Sequence, residues 1–355
     1  MKTREYRVQF NTPAFLGNAE QQGQWRTPPF KALIRQWWRV AYAEAHRYPQ
    51  STVAMRREEG LLFGHAWLDS DQDDQGRAVA ARKSAVRMRL DKWDIGTQRT
   101  WQSLPTVAHP EVKFPVGSDL YLGYGPLTLS SGSKQPQLKN NAAIQAGETA
   151  TFAIAYPDEH APRIERALWL MDRYATAGGR SRNGWGSFAL VPQEGTPDMA
   201  GSAPLRPWRD CLDLDWPHAI GQDDQGALIW QTQPCDDWKA LMRELAVVRI
   251  GLRTQFKFPI EPPPHSQVLE RHWLSYPITR HSTKAWNGTF RLPNSLRFKA
   301  RKTSNGKFVG VIFHVPCLPP PAFNPEVNRQ AIKRVWSQVH QFLDAPAQNL
   351  IRTGE

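Results

Sequence analysis

Cysteine is scarce. The 355-residue chain holds only Cys211, Cys235 and Cys317, far apart and with no CxxC pair. That argues against a disulfide framework and against a Cys-rich zinc site. Long apolar runs are missing too: nothing approaches the ~18–20 residues that span a bilayer. No basic helix with a clean apolar face stands out, which speaks against a membrane surface as partner. Met1 to Phe10 is polar and charged and lacks the apolar segment of a secretion signal, so the expected location is cytoplasmic. What the chain does hold is 40% hydrophobic residues, enough for a packed core and too many for a disordered chain. At roughly 100–200 residues per domain the length suggests two domains.

Acidic residues are the other shortage. Asp and Glu total 33 against 45 Lys and Arg, a net charge of +12. An excess of this size favours a polyanionic partner, usually nucleic acid. The deficit is local. From Arg271 to Pro325 there is no Asp or Glu, while Arg271, Arg280, Lys284, Arg291, Arg297, Lys299, Arg301, Lys302 and Lys307 all fall there. A neutral solvated surface mixes signs, so the stretch reads as a face for polyphosphate. Between Glu20 and Glu44, Arg26, Lys31, Arg35 and Arg39 interleave with Trp25, Trp37, Trp38 and Tyr42. Between Asp74 and Asp91 lie Arg77, Arg82, Lys83, Arg87 and Arg89. One such window is an ordinary solvated face; three in one chain point to nucleic acid. The 15 tryptophans add weaker support, because Trp stacks on bases but more often fills cores.

Periodicity gives two similar halves. Tyr6–Asn11 alternates as a strand. Pro28-Pro29 opens a helix over 30–46, with Leu33, Trp37, Val40 and Ala41 at helical spacing and Arg35 and Arg39 on another face. Successive helix positions point about 100° apart, so Trp37 is expected in the core and Trp38 in a different environment. A second helix covers 51–63 and stops at Gly64. Residues 85–90 form a strand with Val86, Met88 and Leu90 inward and Arg87 and Arg89 outward. Residues 91–147 are turn-rich and read as an insertion. A strand over 148–156, a helix over 163–177 and a strand over 187–191 complete a first domain, 1–195. Residues 192–207 read as a linker. The second domain, 205–355, has a strand at 228–232, a helix at 238–249, several short strands within 251–300, a long strand at 308–315 and a closing helix at 325–343. The fold class expected is α+β: two tandem ferredoxin-like (RRM-like) domains with an insertion in the first.

The sharpest local feature is the Gly-rich loop 178–186, with Gly178, Gly179, Gly184 and Gly186 around Arg180, Arg182 and Asn183. Glycine permits positive φ and close backbone approach, turn amides can form an anion-binding nest, and arginine adds charge-assisted bonds to phosphate. The loop lacks the Gly-Lys-Ser/Thr ending of a P-loop and follows a helix, so it is no nucleotide fingerprint. The expected RNA-binding residues are Arg26, Lys31, Arg35, Arg39, Gly179, Arg180, Arg182, Asn183, Gly184, Arg280, Lys284 and Arg297.

This order of signals resembles the RAMP superfamily of CRISPR-associated RNA-binding proteins. Phe10-Asn-Thr-Pro-Ala-Phe-Leu-Gly17 followed by Arg26-Thr-Pro-Pro-Phe-Lys-Ala-Leu-Ile-Arg-Gln-Trp-Trp-Arg39 resembles the opening of the head-end RAMP subunits of type III-B Cmr effector complexes. Glu59-Gly-Leu-Leu-Phe-Gly64 resembles the element after that helix, and 178–186 the family's Gly-rich loop. Leu274-Ser-Tyr-Pro-Ile278 and Arg291-Leu-Pro-Asn-Ser-Leu296 resemble its strand elements more loosely. One departure is Lys31-Ala32, where the family more often has Lys-Gly. The resemblance implies RRM-like domains, a non-catalytic RNA-binding role, CRISPR RNA and target RNA as ligands, and other RAMP subunits of a type III complex as partners, with no cofactor.

The alternative within that superfamily is an endoribonuclease that processes CRISPR RNA with a His general acid or base. His46, His65 and His109 are its candidates. No spacing indicates a metal site. Asp69-Ser-Asp-Gln-Asp-Asp74 lacks the Gly and distal Glu of an EF-hand and reads as a solvated acidic loop.

Overall fold

The computed structural model describes residues 1–354 apart from 69, 70, 287 and 324–326. Among them are six α-helices: α1 (Thr27–Ala45), α2 (Val53–Phe63), α3 (Ser118–Gly123), α4 (Ala161–Tyr174), α5 (Trp238–Thr254) and α6 (Arg329–Asp344). None is long and apolar enough to cross a membrane. The class is mixed α+β. The chain forms two compact units. The first comprises 1–99, 140–178 and 186–204, the second 100–139, 179–185 and 205–355. The expected insertion and the Gly-rich loop are therefore shared between units rather than held in the first.

In the first unit a four-stranded antiparallel sheet runs Arg87–Leu90, Thr149–Tyr156, Lys2–Phe10, Phe188–Pro192. Along the chain its elements go strand, helices α1 and α2, strand, strand, helix α4, strand. Alternation in Lys2–Phe10 puts Tyr6, Val8 and Phe10 in the core. Register sets Val8 opposite Ala150 on one side and Leu190 on the other. Phe10, Trp25, Phe30, Phe152 and Phe188 form one aromatic core, with centroids 5.1–6.4 Å apart. Pro28 and Pro29 begin α1 as expected, since a first-turn proline gives up no intrahelical bond.

Trp37 lies in the core as expected, and Trp38 has a different environment, although it too is buried. Trp37 meets Tyr174 of α4 at 5.7 Å, whereas Trp38 packs on Tyr42 and on Phe63 of α2. The helix is covered on two sides, so residues 100° apart can both face apolar surroundings. Leu33 is only half-buried, and Ile34 takes the inward place. Helix α2 ends where Gly64 adopts φ +85°, with a Cβ there falling 2.8 Å from the Arg82 carbonyl oxygen. Helix α4 stops at Tyr174, three residues short of expectation, because Thr176 turns extended to bridge Ser187.

The second unit repeats the order of elements. Its antiparallel sheet runs Leu296–Lys302, Phe308–His314, Ile229–Gln231, Ile351–Arg352. Phe298, Ile312 and Trp230 stand in register across it. Helices α5 and α6 pack closely where Gly251 meets Phe342; a Cβ at 251 would lie 2.4 Å from Phe342 Cζ. Asp237 caps α5 through Ala240 N, and Asn328 caps α6 through Ala331 N. The expected helix start at Pro325 lies outside the described residues. Within 251–300, Leu296–Lys302 is the only extended strand among the described residues; the rest is a 3-10 turn (Glu270–Trp273) and isolated bridges. Pro259, Pro262, Pro263, Pro264, Pro277 and Pro293 remove ladder donors there. What holds the segment is ring packing: Phe258 stacks on His281 at 3.7 Å, and Trp286 sits among Trp273, Tyr276 and Phe323 at 4.8–5.1 Å.

Candidate nucleic-acid interface

The part of the Gly-rich loop within the second unit, 179–185, is built tightly. Asn183 N–H donates to the Arg180 carbonyl and Gly184 N–H to the Ser181 carbonyl, closing successive turns. The buried Asn183 side chain donates to the Leu122 carbonyl at 2.7 Å. Phe298 N–H donates to the Arg182 carbonyl, so the loop covers the outer edge of strand Leu296–Lys302. Trp185 anchors the exit against Trp101 and Trp238, at 5.6 and 6.2 Å.

This geometry revises the expected role of Gly184. Its amide is buried and spent inside the turn, so it offers no nest to a phosphate. Glycine is required there because φ is +92° and a Cβ would lie 3.2 Å from Leu245 Cδ1 of α5. Gly179 is half-buried; Arg180 and Arg182 are exposed.

The loop delivers arginines to arginines. Arg180 donates through Nε to the Tyr124 carbonyl at 2.6 Å. Arg249 and Arg253, four apart on α5, share a helix face. Arg253 Nη1 donates to the Tyr121 hydroxyl at 3.3 Å, and Arg249 is buried with Nη1 lacking any hydrogen-bond partner among the described residues. Burial, then repulsion from Arg253 and Arg180, lowers the Arg249 guanidinium to about 9, still charged at neutral pH. Arg297, half-buried with Nε unpartnered, is lowered to about 10 by burial and then by Arg182. Among the described residues no carboxylate pairs with Arg180, Arg182, Arg249, Arg253 or Arg297. Cations gathered without a counter-ion cost free energy unless an anion joins them.

Arg249, Arg253, Tyr121 and Tyr124 were missed by sequence reasoning. The signal was present in Leu245-Ala-Val-Val-Arg-Ile-Gly-Leu-Arg253: a lone arginine inside an apolar helical run, with a second one turn later.

The other expected residues are placed differently. In the first unit Arg35 and Arg39 both bind the buried carboxylate of Glu59, Arg39 through two nitrogens, at 2.7 Å throughout. Burial raises the Glu59 carboxyl but the two arginines hold it below its usual range. These arginines tie α1 to α2. Arg26 precedes α1 with Nε unpartnered; Lys31 is half-buried and lowered by burial and then by Arg35. In the second unit Arg280 and Lys284 are exposed, on the loop of the ring-packed segment.

The long acid-free stretch is not one open face either. Arg271 is buried on Glu111, Lys307 meets Asp236, and Lys299 is buried in the sheet. In the shorter window Arg77 takes Asp73 and Arg82 takes Asp71. Acids outside a window in sequence fold back onto it. Asp69 and Ser70 of the acidic loop lie outside the described residues. Of the histidine candidates, His46 stacks on Tyr42 at 3.9 Å, His65 Nε2 lies 2.7 Å from Asp71 Oδ2, and His109 packs edge-on to Tyr121.

No protein-family model matches the chain, and no curated protein does. Among solved structures, apo Cmr1 from Pyrococcus furiosus aligns at 12% identity and TM-score 0.42, over 95% of this chain and 97% of its own. A chain of the type III-B Cmr-beta complex bound to cognate target RNA aligns at 9% identity and TM-score 0.43, over 95% and 99%. Another, from that complex with AMPPnP and single-stranded DNA present, aligns at 10% and 0.41, over 96% and 98%. At such scores the likeness assigns no residue, ligand or partner to this chain.

Proposed function

We propose that the chain is a non-catalytic RNA-binding subunit of a type III, Cmr-type CRISPR ribonucleoprotein. In this reading it contacts CRISPR RNA, target RNA or both, beside other RAMP subunits. The observation that carries it is the set of arginines around loop 179–185, which face one another and no carboxylate. A polyphosphate chain supplies the missing negative charge at regular spacing. Two further features support it: the sequence resemblance of 10–39, 59–64 and 178–186 to RAMP subunits, and a strand order in each unit that suits a ferredoxin-like, RRM-like domain.

The test is binding of labelled single-stranded RNA across a salt series. With Z phosphates neutralised, log K is expected to fall with log salt at a slope of about −0.7Z. Undetectable binding at low salt, or affinity that ignores salt, refutes the reading. Discrete metal-independent cleavage of repeat RNA, lost on His46→Ala or His65→Ala, would favour the nuclease instead.

A further inference from the structure

We infer that α5 and the Tyr121–Gly125 turn of the second unit form a phosphate-and-base subsite selective for single-stranded RNA, with Arg249 and Arg253 holding the phosphate and the Tyr124 ring stacking the base. The inference rests on the RNA reading above and adds residues and strandedness to it.

Arg249 is the anchor. It is only 8% exposed, flanked by Val248 and Ile250, and its Nη1 has no partner among the described residues. Its guanidinium stands 5.8 Å from the Phe298 ring centroid. A ring face is a poor substitute for a counter-ion. Its charged neighbours are cations: Arg253 one turn on, and Arg180 from the loop. A merely structural arginine is paired, as Arg271 is on Glu111 and Arg352 on Asp223 and Asp344. An unpaired one held in place by its fold is a donor awaiting an acceptor, and the planar fork suits phosphate oxygens.

The aromatic half lies beside it. Tyr124 is 62% exposed. Its carbonyl is fixed by Arg180 Nε at 2.6 Å, so the loop's cation is held at the residue that carries the open ring. Gly125 follows at φ +121°, and a Cβ there would lie 3.6 Å from both Arg180 Nε and Nη2. Glycine suits the position through its positive φ, since the contact itself is an ordinary one. Tyr121, whose hydroxyl accepts from Arg253, orients the second phosphate ligand. A phosphate clamp next to an exposed ring binds a splayed nucleotide of any base. A duplex hides its base faces in its own stack and leaves the ring unused.

The experiment uses the full chain, a labelled mixed-sequence RNA, the same RNA annealed to its complement, and inorganic phosphate as a separate probe. Arg249→Met is expected to melt no lower than the parent, because it removes an uncompensated charge, yet to bind single strands at least about tenfold more weakly. Phosphate is expected to raise the melting temperature of the parent and not of Arg249→Met. Tyr124→Ala is expected to lose roughly tenfold for single strands and nothing for the duplex, with Tyr124→Phe near parental. An Arg249→Met protein that melts lower but binds normally per folded molecule overturns the subsite and leaves RNA binding elsewhere. If Arg249→Met both melts lower and binds less, the half-buried Arg253→Gln decides: about tenfold weaker binding at unchanged melting supports the subsite, and parental affinity overturns it. Equal losses for single and double strands in Tyr124→Ala overturn the strandedness. A parent that binds no RNA refutes the functional reading, and the subsite for RNA with it, even if phosphate still stabilises it.

Discussion

Lowering the pH is expected to unfold the second unit through its buried histidines. His218, His272, His314 and His340 all belong to that unit and all are buried. The hydrogen bonds of His218 and His272 demand neutral rings. His218 Nε2 accepts from Arg206, and its Nδ1–H donates to the Trp216 carbonyl. His272 Nδ1 accepts from Leu269 N–H while Nε2–H donates to the His281 carbonyl. His314 and His340 share one hydrogen bond at 2.9 Å, and Ser295 meets the far nitrogen of His314. Burial, as the leading cause, pushes His218 and His272 down to about 4, His340 to about 3 and His314 well below its ordinary value. The folded pKa values lie below the unfolded value of about 6.5, so the unfolded chain takes up protons first. Stability from these groups is complete above pH about 6.5 and is lost as pH falls towards 4. Each ring gives a slope of about 1.4 kcal/mol per pH unit in that window, hence about 2 kcal/mol by pH 5 and on the order of 5–8 kcal/mol for the four together. That is comparable with the whole stability of a domain. Urea unfolding followed by tryptophan fluorescence at pH about 7.5 and about 5 measures it, and His340→Gln is expected to flatten the dependence by about one proton. An unfolding midpoint unchanged between the two pH values would refute the reasoning.

Other perturbations follow from single contacts. Glu59→Gln leaves Arg35 and Arg39 without their carboxylate and is expected to cost about 2–4 kcal/mol, read by chemical denaturation. Trp37→Ala opens a cavity against Tyr174 and is expected to cost about 3–5 kcal/mol. Gly186→Ala places a Cβ 1.9 Å from the Ala177 carbonyl oxygen at φ +63° and is expected to abolish soluble folded protein, whereas Gly288→Ala, with open space around it, stays within about 0.5 kcal/mol. Gly184→Val is expected to lower the melting temperature while RNA affinity per folded molecule stays parental, since its amide is already used within the turn.

Local chemistry was legible wherever a residue acts on its own backbone. Pro28-Pro29 marked the start of α1, Gly64 the end of α2, and the alternation at 86–90 its buried and exposed faces. What depends on distant partners was not. The Arg35/Arg39 pairing needs Glu59, which another helix supplies, so the clasp these two arginines form between α1 and α2 could not be read from their own segment. Trp38 reads as the off-face neighbour of Trp37 until α2 covers it. The acid-free windows looked open because Glu111 and Asp236, which take Arg271 and Lys307, are remote in sequence. Arg249 drew no notice in an otherwise apolar helical run; only its burial and lack of a counter-ion mark it.

The most direct measurement is the salt slope of single-stranded RNA binding for the parent and for Arg180→Ala/Arg182→Ala, two exposed side chains whose loss leaves the turn's own hydrogen bonds in place. If the arginines of the second unit neutralise RNA phosphates, the double variant binds more weakly and its slope falls by roughly one phosphate per arginine removed. A folded double variant with parental affinity and parental slope would contradict the account.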